Sequence, residues 1–155
     1  MDDERIRTLG RWALGGFLLV AGTGHLTVQR KEFQAQVPDW FPVDADAVVI
    51  ASGVVELALG AALILARRRQ RPTVGWVAAG FFVVIFPGNV AQLVEGTDAF
   101  GLDSDLKRAL RLPFQPVLVA WALWSTGAWR AWRSRRSSAL PGSSALPGSS
   151  APASR

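Results

Sequence analysis

The chain contains no cysteine and a single histidine, His25. Without thiols there is no disulfide framework, no thiol redox chemistry and no sulfur-ligated zinc or iron–sulfur cluster. One imidazole cannot make a bis-histidine haem site within one chain, so no metal is expected. No Walker or dinucleotide glycine motif is present, and no strand pattern precedes any glycine-rich stretch. Only one carboxylate, Glu56, falls inside an apolar run, which argues against paired-carboxylate hydrolysis. Lysine is scarce beside arginine, and together with the abundant Ala and Val this composition points to a GC-rich bacterial genome.

Charge is also missing from four long stretches. Charged residues concentrate in 1–11, 30–46, 67–71, 95–111 and 130–136, and the apolar blocks between them each match what about 30 Å of hydrocarbon requires at about 1.5 Å per residue. A soluble bundle would carry polar stripes at helical spacing inside these blocks, and they carry almost none. The reading is all-α: a four-helix transmembrane bundle over residues 1–136, with spans at about 9–27, 48–66, 74–94 and 113–132. Residues 137–155 repeat "SSALPG" and are expected to be a disordered low-complexity tail.

The arginines set the orientation. Arg5, Arg7, Arg11, the four of the 67–71 turn, and Arg130, Arg133, Arg135 and Arg136 fall on one side. Only Arg30, Lys31, Lys107, Arg108 and Arg111 fall on the other, which places both termini in the cytoplasm and the protein, multi-pass, in the plasma (inner) membrane. The net charge of +5 is accounted for by topology and anionic lipid, and no nucleic-acid module accompanies it. Between the spans, "VPDWFP" reads as a turn carrying an aromatic anchor. Residues 103–112 read as a short amphipathic helix capped by Asp103 or Ser104 and ended by Pro113.

Six polar residues fall at similar depth in the half of the bundle away from the arginines: His25, Glu56, Asn89, Gln92, Arg111 and Gln115. An ionisable residue near mid-membrane costs about 2.5 to 3.5 kcal/mol on insertion scales, so Glu56 should face the interior beside a partner, either His25 or Arg111. Pro87 should free the carbonyl of Val83 and kink its helix, aiming Asn89 and Gln92 inward. The glycines of the first three spans read as close-packing surfaces. Two roles for the polar layer stay open: a ligand or proton site, or a lock on helix packing and register.

The runs "AGTGHL", "VPDWFP", "SGVVELALGAALIL", "FPGNVAQLV" and "RLPFQPVLVAWALW", in that order over about residues 10–129, resemble the DoxX-like family of small four-helix bacterial membrane proteins. His25, Glu56, Asn89, Arg111 and Gln115 lie in those runs. The wider family includes subunits associated with thiosulfate and quinone oxidoreduction, proteins of oxidative-stress complexes, and eukaryotic relatives that assist receptor assembly. Its fold is similar to the vitamin K epoxide reductase bundle, whose thiol chemistry this cysteine-free chain cannot perform. The resemblance implies an accessory membrane subunit, more readily than an enzyme, with a polar pocket for a small lipophile such as a quinone. The partners it implies are the bilayer and either further copies of the chain or a membrane redox protein. An enzyme of this kind would be a quinone-linked oxidoreductase component, and the non-enzymatic alternative is an assembly protein.

Overall fold

The computed structural model describes residues 2–38 and 40–138. They form seven helices: α1 (Asp3–Leu26), α2 (Arg30–Gln34), α3 (Ala45–Leu65), α4 (Arg71–Val94), α5 (Asp105–Arg111), α6 (Phe114–Ser125) and α7 (Ala128–Ser138). No strand occurs among the described residues. The predicted disordered tail lies outside them from residue 139 onward, while Ser137 and Ser138 complete α7.

Local chemistry sets the helix ends. The Asp44 carboxylate accepts from the Ala47 amide at 3.1 Å and caps α3. Pro72 opens the first turn of α4, where its missing N–H costs nothing. Ser104 is the N-cap residue of α5 but its hydroxyl makes no capping bond. The helix expected over 113–132 is two helices: α6 stops at Ser125, and Gly127 takes a φ of +73° that L side chains avoid. There the Thr126 hydroxyl donates to the Ala122 carbonyl at 2.7 Å, and the Gly127 amide to the Trp124 carbonyl at 3.2 Å.

The ends of the bundle differ in kind. At one end, called here the arginine end, Leu14 and Leu18 of α1, Leu59 and Leu63 of α3, Ala78, Ala79 and Phe82 of α4 and Ala122 of α6 make a dry core. Arg11 is buried just beyond it and donates to the carbonyls of Leu63 and Ile64, in the last turn of α3. That turn has no basic residue of its own, so α1 supplies the cation that the exposed carbonyls call for. Sequence reading placed Arg11 with the topology-setting arginines; its structural partner is the end of a neighbouring helix. The other end carries α2, α5 and the connecting segments, and is called the loop end.

Backbones touch along α1 and α3. A Cβ on Gly60 would lie 2.8 Å from the Gly15 carbonyl, and one on Gly22 2.7 Å from the Gly53 carbonyl. Absent side chains thus set the interhelical distance. Helices α3 and α4 are long and apolar enough to cross a membrane. Only 33% of the most apolar stretch of either is buried within the bundle, whereas a soluble core helix would be mostly covered. Val20, Val84 and Val94 are among the large apolar side chains left at least three-quarters exposed.

Candidate functional site

Toward the loop end the dry core gives way to a cavity of about 700 Å³ between α1, α3, α4 and α6, roofed by α2 and the segment after it. Five of the six polar residues singled out in the sequence line it: His25, Glu56, Asn89, Arg111 and Gln115. Gln92 is fully buried behind the wall instead. Ser52, one turn before Glu56, also lines the cavity, and Phe17, Leu118 and Trp121 supply apolar wall.

Glu56 is 5% exposed and lies against His25, with Oε2 2.9 Å from the imidazole Nδ1. That nitrogen is also 3.0 Å from the Ala21 carbonyl, one turn back along α1, which is placed to take its proton. The contact with Oε2 lacks hydrogen-bond alignment, and Oε2 is left without a hydrogen-bond partner. A buried oxygen so placed is costly unless something else satisfies it. Gly53 makes the pairing sterically allowed, because a Cβ there would lie 2.8 Å from the His25 Cβ. One face of the imidazole is covered by Phe33 of α2, stacked at 3.3 Å between ring centroids and 16° between planes.

Asn89 and Gln115 behave differently. The Asn89 amide donates to the Gln115 Oε1 at 3.0 Å, and the Gln115 amide donates to the Phe82 carbonyl at 2.5 Å. Pro87 removes a backbone donor from α4 nearby, and the Gln115 bond ties α6 to this part of α4. Gly88 creates a second opening, where a Cβ would meet the Gln36 carbonyl at 2.7 Å, so the roof rests on the proline-disturbed part of α4.

Arg111, the other cation considered for Glu56, is held by different groups. Its Nη1 donates weakly to Gln92 Oε1 at 3.4 Å, and its guanidinium lies 5.1 Å from the Phe100 ring centroid. The Gln36 amide, in the orientation its neighbours require, accepts from Nη1 and Nη2 at 2.5 and 2.8 Å. Burial lowers the pKa of this guanidinium from its ordinary value, although an arginine keeps its proton in a protein. Gln92 in turn donates to the Thr97 carbonyl at 3.3 Å, so it braces Arg111 and does not touch the cavity.

Three contributors escaped sequence reading. Phe33 and Gln36 lie just before the segment read as a turn, where the five-residue α2 has too little periodicity to announce itself. Arg108 entered the sequence reading only as one of the few cations on the loop side, yet it is 6% exposed, bonded to the Thr97 carbonyl and paired with Asp98 and Asp105. The i,i+3 spacing of Asp105 and Arg108 was its available signal.

The roof is clasped to α3 by Arg30, which pairs with the Asp46 carboxylate, and by Gln34, which donates to the same carboxylate at 2.7 Å. The Arg30 hydrogen bond, reinforced by Gln34 and by the Arg30 charge, holds Asp46 below the usual carboxylate range. A depressed acid contributes stability above its unfolded pKa and loses it as the pH falls through the folded value. Protection factors at amides 30–36, taken relative to the intrinsic exchange rate at each pH, are therefore expected to hold from pH 7 to about 5 and to fall below about pH 4. Deprotection already at pH 6 to 7 would assign the clasp to another group.

The class defined by these features is an all-helical bundle, two of its helices long and apolar enough to cross a membrane, with a polar-lined cavity at one end. Residues 14–126 match the family described as a domain of unknown function, DUF8561, and the chain belongs to that family. Searches of curated proteins and of solved structures returned no match.

Proposed function

We propose that the protein is a multi-pass plasma-membrane protein of the DoxX-like kind, acting as an accessory subunit that holds a small lipophile with a polar tip, such as a quinone, in the loop-end cavity. Four spans, at about 9–27, 48–66, 74–94 and 113–132, fall on α1, α3, α4 and the α6–α7 pair, with both termini cytoplasmic. The exposed apolar faces of α3 and α4 support the membrane setting, and the arginine asymmetry supports the orientation.

The observation that carries the ligand reading is Glu56 Oε2: nine-tenths buried, facing a cavity of about 700 Å³, and without a hydrogen-bond partner. Small-molecule pockets combine apolar walls with a few placed polar groups in this way, at about 300 to 1,000 Å³. In this reading Glu56 and His25 face the oxygen of the bound ring, and Arg111 supplies positive charge near the roof. The packing reading is favoured by one part of the layer, since Asn89, Gln115 and the Phe82 carbonyl satisfy one another without a ligand. That chain is assigned to holding α4 against α6.

The test is native mass spectrometry of the full chain from mild detergent, alone and with added decylubiquinone. One retained lipophile or one decylubiquinone per chain is the expected result. A protein that stays folded but retains neither overturns the ligand reading and leaves the packing reading standing.

A further inference from the structure

A second cavity, about 830 Å³, lies between α4, α6 and α7 and is distinct in chemistry from the first. Its walls are apolar: Val83 and Phe86 of α4 face Pro116, Val119, Ala120 and Leu123 of α6. Pro116 to Leu123 span about 10 Å of helix, and Val83 and Ala120 are exposed rather than packed. Gln115, the polar residue at the loop end of this groove, has both ends of its amide occupied by Asn89 and the Phe82 carbonyl. No free polar group therefore competes for whatever lies along the walls.

The arginine end of the groove is the opposite. Trp124, Trp129, Arg7, Arg130 and Arg133 close it. The Arg7 Nη1 donates to the Trp124 carbonyl at 3.1 Å, its guanidinium lies 5.7 Å from the centroid of that indole, and its buried Nε has no hydrogen-bond partner. Asp3 Oδ2 is the competing anion, 3.2 Å from the Arg7 Nε, where it is out of hydrogen-bond alignment, and 2.8 Å from the Arg130 Nη2. Arg133 pairs with no carboxylate among the described residues, so three guanidinium groups face one carboxylate and the groove mouth is net positive. The break at Gly127 produces this gathering, because it turns α7 and brings Trp129, Arg130 and Arg133 against α4 and the foot of α6, from where Arg130 reaches Asp3 of α1.

We infer that this groove is a binding site for one phospholipid with an anionic headgroup, its acyl chain along the α4–α6 walls and its phosphate among Arg7, Arg130 and Arg133. A free phosphate would use the mouth and leave the apolar walls uncovered, whereas a phospholipid matches both. Tryptophans at the mouth suit the headgroup level, where an indole keeps its apolar body in the chains and its N–H in water. The inference rests on the membrane setting proposed above, but not on any ligand in the loop-end cavity.

The test reconstitutes the full chain in vesicles of equimolar dioleoyl phosphatidylglycerol and dioleoyl phosphatidylcholine, followed by mild extraction and native mass spectrometry. Wild type is expected to retain one phosphatidylglycerol at least fivefold more often than one phosphatidylcholine. Arg130→Gln/Arg133→Gln should bring that ratio to within twofold, and Ala120→Trp, which fills the apolar wall without touching the charges, should remove the adduct. Arg67→Gln/Arg69→Gln takes the same charge from the exposed 67–71 turn and should keep the wild-type ratio. Helix content by circular dichroism checks that each variant is folded. Quenching of tryptophan by brominated phosphatidylglycerol above brominated phosphatidylcholine, abolished in the same variants, supports the site without extraction. A wild-type ratio near one, or equal loss in the 67–71 control, overturns the lipid site alone. A chain that does not co-float with vesicles overturns the membrane setting together with it.

Discussion

Glu56→Gln is expected to yield a normally folded protein that has lost at least about tenfold in decylubiquinone retention. The amide is nearly isosteric with the carboxyl, so helix α3 and its glycine contacts with α1 are undisturbed. What changes is the group facing the cavity: one oxygen becomes a fixed NH2 donor, and neither charge nor an acidic proton is available. Hydrogen bonds to charged groups contribute about 1.5 to 3 kcal/mol, which corresponds to roughly tenfold or more in affinity. If Glu56 instead serves only to pair with His25 and fix helix register, the variant will show reduced expression or an altered oligomer while any retained ligand persists. Size-exclusion profile and adduct mass, measured on one sample, separate these results. His25→Gln is the companion variant, since it leaves the Glu56 carboxyl in place and alters only the neighbour at 2.9 Å.

Gly60→Leu is expected to have the largest effect on stability. A Cβ there would stand 2.8 Å from the Gly15 carbonyl and 2.9 Å from the Leu19 Cγ, and a helix backbone cannot yield locally as a side chain can. Overpacking of this sort costs about 1 to 3 kcal/mol even where side chains can adjust, and here α1 would have to separate from α3. Fluorescence-detected size-exclusion thermostability should fall by many degrees, with His25 and Glu56 losing their register as a consequence. Gly80→Leu is the control, because a Cβ at Gly80 meets nothing within 4 Å. A similar loss at Gly80 would mean that glycine flexibility, and not close approach, is what the helices need.

The helical class and the gathering of polar residues were legible because both depend on pattern. Uncharged blocks separated by arginines announce long apolar helices, and α3 and α4 meet that expectation directly. Depth counting at a fixed rise per residue brought His25, Glu56, Asn89, Gln92, Arg111 and Gln115 to similar depth, and all but Gln92 line one cavity. Partner choice was not legible. Glu56 had two possible cations in one dimension, and only the interhelical rotation set by Gly22 and Gly53 selects His25. The roof was equally hidden, since a five-residue helix is defined by what it packs on: Phe33 on His25, and Gln36 on Gly88 and Arg111. Gly127 did offer a visible stop signal after "WST", but the apolar run on either side masked it. Arg11 shows a further limit: a cation serving the carbonyls of another helix has the same local sequence as one that merely marks a membrane boundary.

The separation of dry core from cavity along the bundle has a mechanical consequence. Leu14, Leu18, Leu63, Phe82 and Ala122 are all but fully buried at the arginine end, while the loop end is held by hydrogen bonds, a stacked ring and ion pairs with at least one exposed or half-exposed partner. Local stability follows such differences in packing, so the two ends have unequal stiffness. Parting the roof from α3 and α4 would require Arg30 and Gln34 to release Asp46, Phe33 to leave His25, and Gln36 to leave Gly88 and Arg111; none of these is a contact of the core at the arginine end. The contacts that close the cavity are thereby separate from those that hold the core.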